Sequence, residues 1–352
     1  MRVFSSAARR AGRRKSTLAL QTLTLSSLLL SACASSHPAL IERRVMLMGT
    51  ALDVEVEAAN RSMALAASER AVEALEAAEA RLSTWRDDTE LARLNRTPVG
   101  QPMSLSPALA RELQAARRCW QETEGAFDPG VGALVRAWGL RTSGRIPDAS
   151  ELRAAQGVSG LRLRDGTAVR EQDLLLEEGG WGKGAGLVDA LEVLKRNGVA
   201  RASLDLGGQV AVLGGGWEVP VADPRRRDRS VVVLKVDGGS VSTSGNSEHG
   251  FEIAGKRYGH ILDPRTGSPA PDFGSLTVWT ADPLRADCLS TGLYVLGPER
   301  ALAWTAEHPG VEVLVLRTDG GRLRALASPG LRGRLKAMDP EVTIDFGSDV
   351  GR

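Results

Sequence analysis

The stretch that decides the fold runs from Leu174 to Leu213: LLLEEGGWGKGAGLVDALEVLKRNGVARASLDLGGQVAVL. Leu174 to Leu176 reads as a short strand running into a glycine-rich turn that carries Lys183. A helix follows, with Leu187, Leu191 and Leu194 on one stripe, and stops at Asn197-Gly198. Ala202–Leu206 and Val210–Leu213 then pair as strands about Gly207-Gly208. Upstream, Arg44 to Val56 reads as a first strand with Met48-Gly49-Thr50 inside it. Leu65, Val72, Leu75, Ala78 and Leu82 recur at helical spacing between Ser62 and Leu82. Ser106-Pro107 starts a second helix with Ser as N-cap; Leu109, Leu113, Ala116 and Trp120 are its buried stripe, and Gly125 ends it. Residues 140–170 read as a polar excursion. Downstream, Val231–Val236, Phe251–Ile253, Leu276–Thr280 and Val311–Leu316 read as strands, with a helix from Leu284 to Leu296 between the last two. Runs of strands mixed with few, long helices predict an α+β protein with mixed, mainly antiparallel sheets and packed helices, not a doubly wound one.

Composition is that of a globular protein: 352 residues, 42% hydrophobic and 25% charged. The net charge of +2 is misleading, because the first 15 residues hold five arginines and one lysine and no acid. The rest of the chain is mildly acidic, which argues against a nucleic-acid partner. Arg9 to Lys15 forms a charged region ahead of a short Leu-rich core, Leu18 to Leu30. That core is too short and too polar to span a membrane comfortably, and it ends in Leu30-Ser31-Ala32-Cys33. This resembles a bacterial lipoprotein signal, with residues 1–32 removed, a lipid anchor at Cys33 and a tether over 33–43. An ordinary cleaved signal, a membrane anchor and a chance cysteine are the competing readings. The lipoprotein reading places the domain at the cell envelope, lipid-anchored to the membrane on the periplasmic side. Cys119 and Cys288 lack any CxxC neighbour and read as buried thiols before they read as a disulfide. The run Pro224-Arg225-Arg226-Arg227-Asp228-Arg229 reads as a solvated hairpin loop before a phosphate patch.

Three signals carry chemistry. The turn Gly179 to Gly186 opens a helix, which presents backbone N–H groups to an anion. It is not a Walker A loop: Glu177 stands where that motif needs its first Gly, and Gly184 stands where it needs Ser or Thr. Asp287 and Thr291, at i and i+4, share one helical face and can offer two oxygens to a hard cation. The polar segment from Val241 to Pro269 holds Thr243, Ser244, His260, Asp263 and Thr266. A Ser-His-Asp triad comes to mind there, but no G-x-S-x-G elbow is present. His260 reads as a general base, a phosphate ligand or a half-buried structural residue.

In this order the motifs are similar to the bacterial FAD:protein FMN transferase (ApbE-like) family. The resemblance spans about Val45 to Gly297 and rests on MGT (48–50), STWRDDTELARLN (83–95), FDPGVGALVRAWGL (127–140), GGWGKG (179–184), the NGV and LDLGG segments (197–208), TSG (243–245), KRYGHILDPRTGSP (256–269) and ADCLSTGLYVLG (286–297). It implies a T-fold-like flavin transferase domain over 44–345. It also implies FAD as substrate, Mg²⁺ as cofactor, and transfer of FMN to a Ser or Thr of an acceptor protein with release of AMP. Positions matching those associated with FAD are Met48, Trp85, Ala126, Phe127, Asp128, Glu177, Lys183, His260 and Ile261. Gly180, through its carbonyl, with Asp287 and Thr291 matches the metal position; His260, Lys183 and Asp287 are the catalytic expectation. The acceptor is expected to be another, membrane-associated electron-transfer protein, because this chain holds no evident flavinylation motif. Alternative outcomes of the same site are hydrolysis of FAD to FMN and AMP, or flavin binding without catalysis. The chain departs from the family pattern at Glu177-Glu178, where Asp-Leu is common, and at Val188, where an Asp is usual. Asp189 stands one place later, turned by about 100° at roughly 3.6 residues per turn.

Overall fold

The structure, a computed structural model, describes residues 38–155, 157–246, 250–253 and 255–347. The signal segment, Cys33 and His249 lie outside the described residues. No described helix is long and apolar enough to cross a membrane.

A nine-stranded sheet organises the described chain. Its strands are Ala39–Leu47, Thr50–Ala58, Arg201–Leu206, Gln209–Leu213, Gly239–Gly245, Gly274–Thr280, Val311–Asp319, Arg322–Ala327 and Thr343–Asp345. Their order in space is their order in the chain. All neighbours are antiparallel except the last pair, which is parallel. Every other feature is an insertion between consecutive strands of this meander, and three of the insertions supply most of the site.

The first strand of the sequence reading is in fact a hairpin. Leu47 pairs with Thr50, and Met48 (φ 50°) and Gly49 (φ 72°) form the two-residue turn. Two central residues at positive φ are what such a tight turn requires. A Met in the left-handed region is uncommon, so its sequence gave little warning of a turn. The strand also begins at Ala39, inside the stretch read as tether. Gly207 (φ 59°) and Gly208 (φ 88°) make the equivalent turn as expected.

Helices Arg61–Leu82 and Gly182–Arg196 pack on one face of the first four strands, where Leu52, Val54, Val56, Leu204 and Leu206 meet Leu75, Leu187 and Leu191. Leu65, counted in the stripe, points outward and is exposed. Helix Pro283–Leu296 is buried on nearly every side, between the strands Gly274–Thr280 and Val311–Asp319 and helix Pro107–Glu122. That explains its apolar character all round. Helix Pro107–Glu122 starts as predicted, with Ser106 Oγ accepting from the Leu109 amide at 3.2 Å. The 140–170 excursion holds a short helix, Ala149–Ala154, and two strands, Leu161–Arg164 and Thr167–Arg170, that join Pro102–Ser104 in a small sheet. Leu174–Leu176 is not a strand; Leu175 makes only an isolated bridge to Val131. The arginine-rich run does turn and enter a hairpin strand, Arg226–Val236. Cys119 and Cys288 are both buried free thiols.

Candidate functional site

Three insertions bring their polar residues to one cavity of about 530 Å³. Trp85, Ala126, Phe127, Asp128, Glu177, Gly180, Lys183, His260, Ile261, Asp287 and Thr291 all line it. Ser242, Thr243 and Ser244, from the edge of the site strand Gly239–Gly245, line it too. Met48 is the one expected residue outside the lining. It lies against the first turns of helix Gly182–Arg196, its sulfur beside Gly186.

The cavity floor is made where two helices cross. Asp287 sits in the buried helix and accepts from the Gly184 amide, Oδ2 to N, at 2.9 Å. Its Oδ1 is 3.8 Å from Lys183 Nζ. Gly184 allows this approach: a Cβ there would lie 2.4 Å from the Pro283 carbonyl oxygen and 2.9 Å from Asp287 Cβ. The helix crossing therefore excludes the hydroxyl residue a Walker loop would carry at this position. Burial pushes the Asp287 carboxyl above the usual carboxylate range, against the pull of Lys183 and the Gly184 amide. Thr291 lies one turn further on, and the Gly180 backbone approaches it so closely that a Cβ there would be 3.3 Å from Thr291 Oγ1.

The wall opposite is acidic but braced. Glu177 pairs with Arg141 at 2.5 Å, and burial with the neighbouring Glu178 pushes its carboxyl up to about 6. Glu178 itself accepts from the Thr84 amide at 3.0 Å. The unusual Glu-Glu pair thus gives one residue to the cavity and one to the loop that carries Trp85. Asp128 is also raised by burial, to about 6. Its carboxylate accepts from the amides of Gly130 (2.6 Å) and Val158 (2.9 Å), so it ties two loops together where it borders the cavity. Asp189 has turned away as the 100° shift implied: it accepts from Arg81, which also binds Glu112, on the far side of the helix.

His260 is delivered by a loop that Asn246 holds. Asn246 accepts from the Ile261 amide at 3.3 Å and donates to the Ala270 carbonyl at 3.1 Å. Beyond it, Asp263 accepts from the Arg265 amide and side chain, and its carbonyl accepts from Thr266 and Gly267. Asp263 and Thr266 therefore build a turn, which removes them from any triad with His260. Several residues escaped the sequence reading, among them Asn246, Ser290 and Gln209. Asn246 gave no signal beyond its place in a polar loop. Ser290 links Ser242 (3.1 Å) and Ser244 (2.9 Å) to the buried helix; its position three residues from Asp287 was the available clue. Gln209 borders the cavity and donates to the Pro283 carbonyl at 2.8 Å.

A buried carboxylate, a helix-start lysine, a run of hydroxyls and a loop imidazole around one elongated cavity define an α+β enzyme with a site suited to a charged, phosphorylated ligand. The sequence matches the ApbE family over residues 48–315, and the chain belongs to that family. A FAD:protein FMN transferase of Klebsiella pneumoniae (strain 342) is 30% identical over 303 residues, covering 81% of this chain and 86% of the relative. One of Treponema pallidum (strain Nichols) is 31% identical, covering 80% and 84%. The solved flavin transferase ApbE from Vibrio cholerae superposes with a TM-score of 0.75 at 26% identity, covering 85% of this chain and all of that one.

Proposed function

We propose that this chain transfers FMN from FAD to a Ser or Thr hydroxyl of an acceptor protein and releases AMP. The observation that carries the reading is the convergence of Lys183, Asp287, Thr291, Gly180 and His260 on one cavity. In the reaction the acceptor oxygen attacks the FMN phosphorus. The bond from that phosphorus to the bridging oxygen breaks, AMP leaves with the oxygen, and the hydroxyl proton is lost.

Each residue has a physical task. Lys183 offsets negative charge on the diphosphate as it grows on the leaving AMP. His260 takes or orients the acceptor proton. Ser242, Thr243 and Ser244 give the cavity a polar hydroxyl surface, and the Ser244 hydroxyl donates to Ser290 of the buried helix. Among the described residues no cluster of three His, Cys, Asp or Glu could cage a metal. The oxygens of Asp287 and Thr291 and the Gly180 carbonyl are nevertheless a hard donor set. They fit Mg²⁺ provided the ligand's phosphates and water complete the coordination. Mg²⁺ bound there supplies charge neutralisation at the diphosphate. Lys183 then serves Asp287 as a weak partner at 3.8 Å, leaving that carboxylate available.

A lipid anchor at Cys33 and a membrane-associated acceptor on the periplasmic side complete the proposal. The test is incubation of the protein with FAD, Mg²⁺ and a candidate acceptor, with the acceptor's mass as readout. An acceptor that gains the mass of FMN less water, with one AMP released per event, supports transfer. AMP and free FMN with an unmodified acceptor would make the protein a hydrolase.

A further inference from the structure

Arg141 follows the loop after the short helix Gly132–Ala137 and was not singled out by any motif. Its guanidinium is held from several directions. Nη1 donates to the Thr84 carbonyl at 2.9 Å, and Nη2 donates to Thr84 Oγ1 and to Glu177 Oε2. The same nitrogen lies 3.9 Å from Glu178 Oε2. The guanidinium carbon sits 4.4 Å from the centroid of the Trp85 ring. Trp85 is 70% exposed, yet it borders the cavity together with Arg141 and Glu177. An exposed indole with this much apolar surface usually has freedom to swing. Here one planar cation stacks on it and anchors to the backbone of the preceding residue.

We propose that Arg141 is a positioning residue that presets a ring-binding wall: it fixes the Trp85 ring and aims Glu177, together a surface for a flat heteroaromatic ring with N–H donors on its edge. The proposal rests on the flavin-transfer reading, because FAD carries two such rings. The flavin offers a pyrimidine N–H, and the adenine offers an exocyclic amine. Prior fixing of two side chains removes part of the ordering cost of binding, about tenfold in affinity or more. Lysine cannot replace the arrangement, since it has neither the fork nor the stacking plane.

A purely structural brace would leave the pH dependence of binding alone, whereas removing Arg141 is expected to move it. Glu177 faces Glu178, Thr84 and Arg141, and the same cavity wall carries Lys183, Asp128 and His260. Burial and Glu178 hold its carboxyl at about 6, with Arg141 opposing them. Loss of the guanidinium leaves that opposition missing, so the midpoint climbs.

The experiment uses the full chain as wild type, Arg141→Met and Arg141→Lys. Dissociation constants for FAD, FMN and ADP are measured by flavin fluorescence and competition across the acid-to-neutral range. The expected result is an FAD affinity about tenfold weaker in Arg141→Met. FMN or ADP, but not both, is weakened with it, which names the ring. The pH midpoint for FAD binding moves upward in Arg141→Met, and Arg141→Lys restores the midpoint without restoring affinity. Binding of FAD by Arg141→Met within twofold of wild type overturns the proposal, as does equal weakening of FMN and ADP. If Arg141→Met fails to fold, Trp85→Leu is combined with Arg141→Lys. Losses smaller together than their product support the shared wall, and independent losses overturn it. A wild type that binds none of the three ligands removes the flavin reading, whereas binding by wild type and variants alike removes only the role of Arg141.

Discussion

Asp287 is a buried carboxylate in the interior of a mostly apolar helix, and its neighbours only partly compensate it. Its folded-state carboxyl is raised. The stability linked to its protonated form is therefore present below the ordinary carboxylate range and is lost as pH rises through the raised value. Burying that carboxyl in its charged form costs stability, which a functional site tolerates. Asp287→Asn is expected to raise the thermal midpoint by about 2 °C, the shift a gain of roughly 1 kcal/mol gives a domain of this size. The same change is expected to lower Mg²⁺-dependent AMP release by about 100-fold or more. Calorimetry and a nucleotide assay on the same preparation check both. An unchanged rate would take the metal role away from Asp287.

Two elements owe their placement to single close approaches. Helices Gly182–Arg196 and Pro283–Leu296 cross at Gly184, where a Cβ would meet the Pro283 carbonyl oxygen at 2.4 Å. Gly184→Ala is expected to cost about 1–3 kcal/mol, the range for overpacking a tight interior. Urea unfolding with an unchanged slope is the measurement. The loop of His260 depends on Asn246 in the same way. Asn246→Ala leaves the Ile261 amide and the Ala270 carbonyl without their partner, a cost of about 1–3 kcal/mol. Turnover is expected to fall further than FAD affinity, because the loosened group is the imidazole and not the floor. These elements also show what was legible. The helix starts at Ser106 and Gly182 were readable because caps and glycine turns are local chemistry. The crossing at Gly184 was visible only as an absence, the missing Ser or Thr after Lys183. Asn246 acts through partners 15 and 24 residues away and Ser290 through partners 46 and 48 residues away, and no local pattern announces such a bond.

At the scale of the molecule, the α+β class and several strands could be read from alternation, and most of the residues that line the cavity from their motifs, Met48 excepted. The meander order could not, because the long insertions hide which strands are neighbours. The first hairpin escaped for a different reason: Met48 occupies a turn position where Gly or Asn is the usual sign. The lipid anchor is a further whole-molecule prediction. Cys33→Ser is expected to move the protein from the membrane fraction to the soluble fraction while leaving FAD binding within twofold. Fractionation followed by flavin titration of both pools checks it. A reductant is expected to leave the thermal midpoint of the wild type unchanged, since Cys119 and Cys288 are free.

The chain-ordered sheet has one long interruption. The strand that ends at Ala58 waits for its neighbour until Arg201, whereas Ala39–Leu47 is already at its side. While the polypeptide is made from its N-terminus, that early ribbon presents a bare row of amides and carbonyls to whatever is nearby. Fragments truncated before Arg201 should consequently self-associate more than the full chain does. The longest of the insertions that build the cavity thus delays the pairing that covers this edge of the nascent protein.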